Sequence, residues 1–355
     1  MIENPKNRKT RVHCSCRCLH RDYAMGWRTL LLAFFLLYLS SEVELSRRMI
    51  ALMGQTVRDV DIVRMYGLQS LGFETYFFTD TNPVPGWTLE PKASVPFLEV
   101  ENVIWVPDES LRGWGNLTAL IKKEYTAWSR ALYWAATQWE GMKEAMRNGH
   151  LDDVTVWFFE EDVAWKSPAV IGRLIRVHER TGTKGGLMTV VKGIKKHQPR
   201  WPHWERITKF KHLLPTLFNQ TRPLPEYWTR NRGLVSRRRN TKENRYVTLM
   251  QSYNVLCALS GRLLAEIETF GQRNGHLLFH EVLFINLCND MMLRGLTCSP
   301  HIIEVTDTSV STKFIRFRPV YGRSSLMSLP SNVIAHPVKN EALLLQWMQV
   351  NLTIA

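Results

Sequence analysis

The fold is decided by the stretch MIALMGQTVRDVDIVRMYGLQSLGFETYFFTD, residues 49–80. The apolar run at residues 49–53 predicts a buried strand, and residues 74–78 predict a second one. Between these two runs, apolar residues recur at helical spacing up to Gly72. A strand, a helix and a strand within about thirty residues form a βαβ unit. This unit implies a parallel sheet whose ligands bind at the carboxyl ends of the strands.

A second stretch, TVWFFEEDVAW at residues 155–165, carries three adjacent carboxylates after an apolar run. Residues 156–159 predict a strand that is covered on both faces, because β-branched and aromatic side chains fill such a surface. Glu160, Glu161 and Asp162 follow this strand directly. Carboxylates beside so much apolar bulk must be paired, hydrated or bound to a metal.

The remaining sequence predicts further elements of the same kind. The ends of three predicted strands, at Gln55, at Asp80 and at Glu160, are expected to gather along one edge of the sheet. We therefore expect an α/β fold with a Rossmann-type, mixed or mostly parallel sheet flanked by helices. The further predicted elements are strands at residues 103–106, 186–191 and 301–305, and helices at residues 122–146, 261–270 and 280–293. The first of these helices carries an apolar stripe that is expected to face the core, formed by Tyr125, Trp128, Leu132, Ala135 and Trp139.

The N-terminus combines a basic flank, residues 1–22, with an uncharged apolar run at residues 29–41. This pattern is typical of a cleaved signal peptide or of an uncleaved signal-anchor helix over residues 23–41. We favour the anchor, because aromatic residues before the run suit the headgroup zone; residues 42–47 would then form a short stem. The positive-inside rule places the basic flank in the cytosol and the rest of the chain in the lumen.

The distribution of charge bears on the binding partners of the chain, and its cysteines and glycosylation sequons bear on its cellular compartment. The net charge of +14 is divided between the N-terminus and residues 184–245 and forms no binding motif, so no nucleic-acid partner is expected. The body carries three cysteines, Cys257, Cys288 and Cys298, which allow one disulfide and one free thiol, with the pairing left open. Three sequons agree with a lumenal body. They begin at Asn116, Asn219 and Asn351.

An acidic cluster that ends a buried strand, in a chain with an N-terminal anchor, resembles the type II membrane glycosyltransferases of the GT-A fold. In that superfamily an Asp-x-Asp motif, or a variant of it, binds the cation that holds the diphosphate of a nucleotide sugar. The matching residues here are Glu160, Glu161 and Asp162, and this departure from Asp-x-Asp leaves open which two carboxylates face the metal.

Two other stretches extend the resemblance to the superfamily, although they identify no particular family within it. FHEVLF, residues 279–284, matches a second acidic position at the start of a helix, where Glu281 would be the general base. NVIAHPVKN, residues 332–340, is similar to a C-terminal segment that supplies a histidine to the metal, and His336 is that histidine.

The resemblance implies a single GT-A-like catalytic domain over residues 48–355. Its nucleotide-binding half would span residues 48–165 and its acceptor half residues 166–355. It implies a site for Mn²⁺ or Mg²⁺, and two carboxylates with one imidazole favour Mn²⁺. The expected ligands are Glu160, Asp162 and His336 for the metal, Gln55, Thr56, Arg58, Asp80 and Lys339 for the nucleotide and its diphosphate, and Glu281 for the acceptor proton.

The function that the resemblance implies is transfer of a sugar from a nucleotide-sugar donor to a hydroxyl of a glycan, protein or lipid. A divalent cation stabilises the charge of the leaving diphosphate, and a carboxylate base accelerates such a step by about 10² to 10⁴. Because Glu281 is a candidate general base for the acceptor hydroxyl, we expect inversion of configuration at the sugar carbon. The expected location is the Golgi or ER membrane, with the catalytic domain in the lumen.

Two other functions stay open at this level. The chain could be a carbohydrate-binding protein without catalysis, which would tolerate replacement of Glu281 by Gln. A metal-dependent hydrolase is less favoured, because two-metal phosphatases use more His and Asp ligands than this chain offers. The site residues could also have purely structural roles, since acidic residues at strand ends often cap turns and those at helix starts interact favourably with the helix dipole.

Overall fold

The computed structural model describes residues 47–82, 102–115, 124–180, 186–189, 195–196, 250–302, 310–316 and 319–348. These residues belong to one compact unit, Arg47–Ala355. The predicted basic flank, the predicted anchor and all three sequons lie outside the described residues. Among the helices that are described, none is long and apolar enough to cross a membrane. Arg47, which was assigned to the stem, already belongs to the first strand.

The described strands are numbered in chain order. They are β1 (Arg47–Gly54), β2 (Glu74–Thr79), β3 (Val103–Ile104), β4 (Val154–Glu160), β5 (Ala164–Trp165), β6 (Gly186–Thr189), β7 (Lys195–Lys196), β8 (Met250–Gln251), β9 (Leu256–Ser260), β10 (Ser299–Ile302), β11 (Ser311–Ile315) and β12 (Val333–His336). Seven of them form the main sheet in the order β10-β6-β9-β4-β1-β2-β3. All pair in parallel except β9, which runs antiparallel to both β4 and β6. The prediction of a mixed, mostly parallel sheet is therefore confirmed.

Six of the described helices lie on the two faces of this sheet, and two short C-terminal helices pack against strands of the second, smaller sheet described below. The described helices are α1 (Asp59–Gln69), α2 (Ala127–Thr137), α3 (Glu140–Asn148), α4 (Pro168–Arg180), α5 (Gly261–Asn274), α6 (His280–Leu293), α7 (Arg323–Met327) and α8 (Glu341–Trp347). Helices α2, α3, α5 and α6 contribute to the hydrophobic cluster on one face, and α1 and α4 contribute to the cluster on the other.

Alternation along β4 explains why this strand is apolar throughout its middle. Val156 and Phe158 join the first cluster, whereas Trp157 and Phe159 join the second. All four side chains are fully buried, because a central strand with helices on both faces has no solvent-facing side. The prediction of a strand covered on both faces is confirmed.

The predicted long helix over residues 122–146 is wrong, because the chain forms α2 and α3 with a break between them. The backbone of Trp139 leaves the helical region, with φ −65° and ψ 124°. Its indole Nε1 donates to Glu74 Oε2 at 2.5 Å, and its side chain is only 2% exposed. The burial of this large side chain turns the helix, while the predicted apolar stripe, including Trp128 and Leu132, is buried as expected.

Other predicted elements differ mainly at their boundaries. The predicted helices at residues 261–270 and 280–293 are present as α5 and α6, and α5 extends further, to Asn274. The strand predicted at residues 103–106 is shorter, and β10 begins earlier than the strand predicted at residues 301–305. Strand β9 was not predicted.

A second sheet has the order β11-β12-β5 and joins the C-terminal region to the end of β4. Its strand β5 follows β4 after a short turn and pairs antiparallel with β12, with Ile334 opposite Trp165. The last residue of β12, His336, is thereby placed beside the acidic turn after β4. A separate short pairing joins β7 and β8.

The cysteine pairing left open by the sequence is resolved for the body of the chain. A disulfide joins Cys288 in α6 to Cys298, immediately before β10. Cys257 in β9 is the free and buried thiol of the described region. The disulfide ties the helix that carries Glu281 to the edge of the main sheet.

Candidate metal centre and cavity

The order of the main sheet creates a crevice between β1 and β4. The chain proceeds from β1 to β2 and β3 on one side, whereas β4 pairs with β1 on the other. Ligands of open α/β sheets bind at such a switch point, outside the carboxyl ends of the strands. Met53 of β1 pairs with Glu160 of β4 at this edge, so the acidic residues stand directly at the crevice.

Gly54 at the end of β1 lets the acidic turn approach closely. A Cβ atom at this position would lie 2.6 Å from Glu161 Oε2 and 2.9 Å from Phe77 Cζ. The next amide, Gln55 N, donates to Glu161 Oε2 at 3.2 Å. A side chain at position 54 would therefore displace the Glu161 carboxylate from its backbone donor.

The acidic residues lie in a tight turn between β4 and β5. Val163 N donates to Glu160 O at 3.0 Å, and Val338 N donates to Asp162 O at 2.8 Å. The second of these bonds ties the turn to the segment that follows β12. Backbone hydrogen bonds thus close the turn and fix it relative to the segment after β12.

The turn and β12 bring together the three residues that the sequence predicted as metal ligands. One side-chain ligand atom from each of Glu160, Asp162 and His336 lies within 4.8 Å of the others. We call these three residues the acidic cluster. Its closest pair is His336 Nε2 and Asp162 Oδ1, 3.0 Å apart.

The surroundings of His336 determine which ring nitrogen faces the cluster. Nδ1 lies 2.8 Å from the carbonyl oxygen of Arg316 and 3.0 Å from the hydroxyl of Tyr253. A carbonyl oxygen can only accept a hydrogen bond, so Nδ1 carries a proton. Nε2 is therefore the ring nitrogen that faces Asp162, as a metal ligand when the ring is neutral and as a hydrogen-bond donor when the ring is protonated.

Nε2 faces a buried oxygen that can only accept a hydrogen bond. Asp162 Oδ1 receives no well-directed hydrogen bond, although Nε2 of His336 lies 3.0 Å away. A proton on Nε2 makes this contact an ion pair, whereas with a neutral ring a metal cation could lie between the two atoms. The pair is therefore compatible with a cation site.

Electrostatics within the acidic cluster separate its two carboxylates. Burial and the neighbouring charge of Asp162 raise the pKa of Glu160 to about 7, although the hydrogen bond from Trp128 opposes this shift. Burial alone would also raise the pKa of Asp162, but His336 and Lys339 outweigh it and hold the pKa below its ordinary value. Without a cation, the two carboxylates are thus crowded in a site that disfavours two charges.

A cavity of about 730 Å³ opens over the acidic cluster. Of the residues predicted to hold a nucleotide, Gln55, Asp80 and Lys339 line it, and Glu281 lines it as well. Lys339 is 67% exposed at the mouth and places Nζ 3.6 Å from Asp162 Oδ2. The cavity has the size that small-molecule sites usually have.

Two predicted nucleotide contacts are placed elsewhere. Thr56 lies in the exposed turn after β1 and is not among the lining residues. Arg58 donates from Nε and Nη2 to the carboxylate of Asp61, at 2.8 and 3.0 Å, and from Nη2 to Glu161 O at 2.8 Å. These bonds give Arg58 a structural role behind the acidic turn, so its placement does not support a contact with a nucleotide.

The other predicted residues combine exposure to the cavity with structural bonds. Asp80 accepts a hydrogen bond from Ala127 N at the start of α2. Glu281 is 7% exposed in the first turn of α6, and its backbone carbonyl accepts from Ser252 N at 2.8 Å. The carbonyl of His280 accepts from Asn254 Nδ2 at 3.1 Å, so two residues before β9 fix the start of this helix.

Sequence reasoning missed two aromatic residues that contact the acidic cluster. Trp128 donates from Nε1 to Glu160 Oε1 at 3.0 Å, and its ring is stacked between His280 at 4.3 Å and Phe158 at 5.4 Å. Tyr253 contacts His336, and burial together with the charge of Glu160 raises its pKa. Trp128 was expected only in the core, and Tyr253 belongs to no periodic pattern that would reveal it.

No protein-family model and no curated protein sequence matches this chain. What the molecule can do must therefore be argued from the acidic cluster, the cavity and the mixed α/β sheet that positions them.

Proposed function

We propose that this chain is a divalent-cation-dependent glycosyltransferase that moves a sugar from a nucleotide diphosphate to an acceptor hydroxyl. One observation carries the proposal: the acidic cluster lies at the switch-point edge of the sheet and faces a cavity of about 730 Å³. The Rossmann-type architecture agrees with the GT-A resemblance of the sequence. The superfamily assignment itself is part of the proposal.

The residues present fit a divalent cation. Asp162 Oδ1 has no well-directed donor, and His336 Nε2, which can bind a metal when the ring is neutral, lies 3.0 Å from it. The hydrogen bond from Trp128 uses one oxygen of Glu160, Oε1, and so orients the carboxylate. Two carboxylates and one imidazole suit Mn²⁺, with Mg²⁺ as the harder alternative.

A bound cation would supply Lewis-acid stabilisation of the charge that develops on the leaving diphosphate. Lys339 adds a second positive charge at the mouth of the cavity, where its exposed Nζ can reach a phosphate oxygen. Gln55 and Asp80, at the ends of β1 and β2, line the part of the crevice in which we place the nucleoside.

Glu281 is the proposed general base. It lines the same cavity as the acidic cluster, from the opposite element α6, and its main chain is fixed by Ser252 and Asn254. A carboxylate held there would accept the proton of the acceptor hydroxyl as that oxygen attacks the sugar. Direct attack of this kind inverts the configuration of the sugar carbon.

The disulfide between Cys288 and Cys298 supports an oxidising compartment. It agrees with the proposed orientation, in which residues 23–41 anchor the protein in the Golgi or ER membrane and the catalytic domain lies in the lumen. A glycan, glycoprotein or glycolipid would be the acceptor in that compartment.

The proposal is tested by calorimetry with the full chain in detergent. Nucleoside diphosphates of all bases are titrated with Mn²⁺ and in chelator, for the native protein and for Glu160→Ala/Asp162→Ala. The matched control is Glu109→Ala/Glu140→Ala, which removes two exposed carboxylates outside the cavity. We expect one nucleotide to bind only with Mn²⁺, and only the first variant to lose this binding.

Two other outcomes have clear meanings. A folded protein that binds no nucleotide with any metal would refute a nucleotide-sugar transferase. The protein could instead bind a nucleotide sugar in a metal-dependent way without transferring the sugar to any acceptor hydroxyl. If Glu281→Gln then leaves this binding unchanged, the result favours the non-catalytic carbohydrate-binding protein.

A further inference from the structure

A buried arginine, Arg64 of α1, lies directly behind the acidic turn. Its side chain is 1% exposed, and its guanidinium carbon lies 4.1 Å above the ring of Trp165. Nη1 donates to Glu161 O at 3.2 Å, and Nη2 donates to Val163 O. Nη1 also lies 3.2 Å from Asp61 Oδ1. One guanidinium therefore joins two carbonyl groups of the turn to a carboxylate of α1.

We propose that Arg64 is a positioning residue that sets the Asp162 side chain against His336. In the described chain Arg64 donates no hydrogen bond to a side chain of the acidic cluster, so it acts through the backbone of the turn and through the attraction of its charge for Asp162. The effect on cation binding rests on the proposed function, whereas the effect on the turn does not.

The hydrogen bonds of the turn show how one residue can have this effect. The carbonyls of Glu160 and Asp162 accept backbone amides, whereas those of Glu161 and Val163 accept from arginine side chains. Arg64 holds the peptide group before Asp162 through Glu161 O and the peptide group after Val163 through Val163 O, and the group between these two is held by Val338 N through Asp162 O. With three successive peptide groups held, the direction of the Asp162 Cα–Cβ bond is fixed, and with it the carboxylate.

The charges around Arg64 favour a role in geometry over a role in stability. Arg58 and Arg64 share the buried carboxylate of Asp61 as their ion-pair partner, and other carboxylates act on them only at longer range. Burial lowers the pKa of Arg64 to about 10, which reflects the cost of the buried charge. An apolar side chain of similar volume would fill this space at lower cost, but it could not hold two carbonyl groups.

Only the planar fork of arginine can bridge both carbonyl groups and Asp61 together. Lysine keeps the positive charge but presents it as a single point, so Arg64→Lys removes the fork and retains the charge. The matched control is Arg130→Lys. Arg130 is also a buried arginine, 3% exposed, which pairs with Asp108 and lies over the ring of Trp105. It makes no contact with the acidic turn in the hydrogen bonds of the described chain.

The test compares these variants with the native full chain by two measurements. Mn²⁺ affinity is measured by electron paramagnetic resonance of the free ion, and amide exchange is followed at Val163 and Val338. For Arg64→Lys we expect a loss of Mn²⁺ affinity of about tenfold or more, as is usual when residues behind metal ligands are replaced. Both amides should exchange about tenfold faster. Arg130→Lys should change neither quantity, even if it lowers the melting temperature equally.

A second variant keeps the proposal testable if Arg64→Lys does not fold. Asp61→Asn leaves both guanidinium groups in place and weakens the tether that Arg64 shares with Arg58, and we expect the same two amides to exchange faster. Unchanged exchange at Val163 and Val338 in a folded variant would overturn the proposal. If the native protein binds no Mn²⁺, the proposed cation is refuted, while the exchange rates still decide the role of Arg64.

Discussion

The middle of β4 and its carboxyl end lie within one strand and turn but are stabilised in different ways. Val156 to Phe159 are held by close packing in two hydrophobic clusters. Glu160 and Asp162 are held by hydrogen bonds and by charges of opposite sign from other elements. The middle therefore supports the fold, whereas the end is costly for the fold, a cost that the proposed cation would offset. Substitutions in the two parts should change different measured quantities.

The largest effect is expected at the cavity, from Glu281→Gln. Loss of a general base should lower the transfer rate by about 10² to 10⁴, because Gln cannot accept the acceptor proton. The melting temperature and Mn²⁺-dependent nucleotide binding should stay near native values. The rate is measured with excess acceptor once the donor is known. Native activity in this variant, or a retained configuration in the NMR spectrum of the product, would exclude Glu281 as the base.

In the middle of β4 we expect an effect on stability. Trp157 is fully buried and packs edge-on against His178 at 5.5 Å between ring centres. Trp157→Ala should lower the free energy of unfolding by about 3–5 kcal/mol through lost burial and a cavity. Urea unfolding measures this change. Met146→Ala, at a position 41% exposed, is the control and should stay within about 0.5 kcal/mol. Equal effects at the two positions would contradict the packing described for β4.

A smaller, pH-dependent effect is expected at His178. Burial, together with the charges of His301 and Arg48, lowers its pKa to about 4. The folded state therefore keeps this ring neutral while the unfolded state protonates it near pH 6.5. The contribution of His178 to the free energy of unfolding is fully present above pH 6.5. It decreases by at most about 3 kcal/mol as the pH falls toward 4.

His178→Gln should remove this part of the pH dependence, which urea unfolding at several pH values would reveal. The exposed His150, whose side chain is 54% exposed, provides the control His150→Gln. If the variant and the native protein lose the same stability between pH 6.5 and 4, the proposed contribution of His178 is wrong.

The smallest effect, and the one of opposite sign, is expected at the end of β4. In chelator at pH 8, Glu160→Gln should raise the free energy of unfolding by about 1 kcal/mol, because it removes a charge crowded against Asp162. The new amide oxygen can still accept from Trp128. The same variant should lose Mn²⁺ affinity. A loss of stability in chelator would mean that Glu160 supports the fold and would weaken the contrast between the two parts of β4.

The sequence predicted the first half of the sheet well because its signals are local. The βαβ unit and β4 follow from apolar runs and helical spacing, and the acidic residues follow β4 directly. Placing three strand ends on one edge required only the rule for parallel sheets. The prediction that Glu160, Asp162 and His336 meet came from the resemblance, since nothing local links His336 to a turn that is distant in sequence.

The missed features depend on contacts that are distant in the sequence. The run LCALS of β9 is too short to be distinguished from other buried segments, and its antiparallel direction is set by pairing with Phe159 and Thr155. The break at Trp139 reflects a bond to Glu74 on another strand. Arg58 looked like a ligand because it follows β1, yet the nearby Asp61 and the turn after β4 occupy its guanidinium.

The direction of β9 also bears on how this chain can vary during evolution. Because β9 runs antiparallel to β6, Thr189 and Cys257 are paired neighbours, and the long connection between them leaves and re-enters the sheet at one edge. A connection with adjacent ends can be lengthened, shortened or exchanged at little entropic cost and without moving a strand. That edge is the one with the cavity, so under the proposed function a change in the length of this connection could admit new acceptors while Tyr253 and the acidic cluster stay the same.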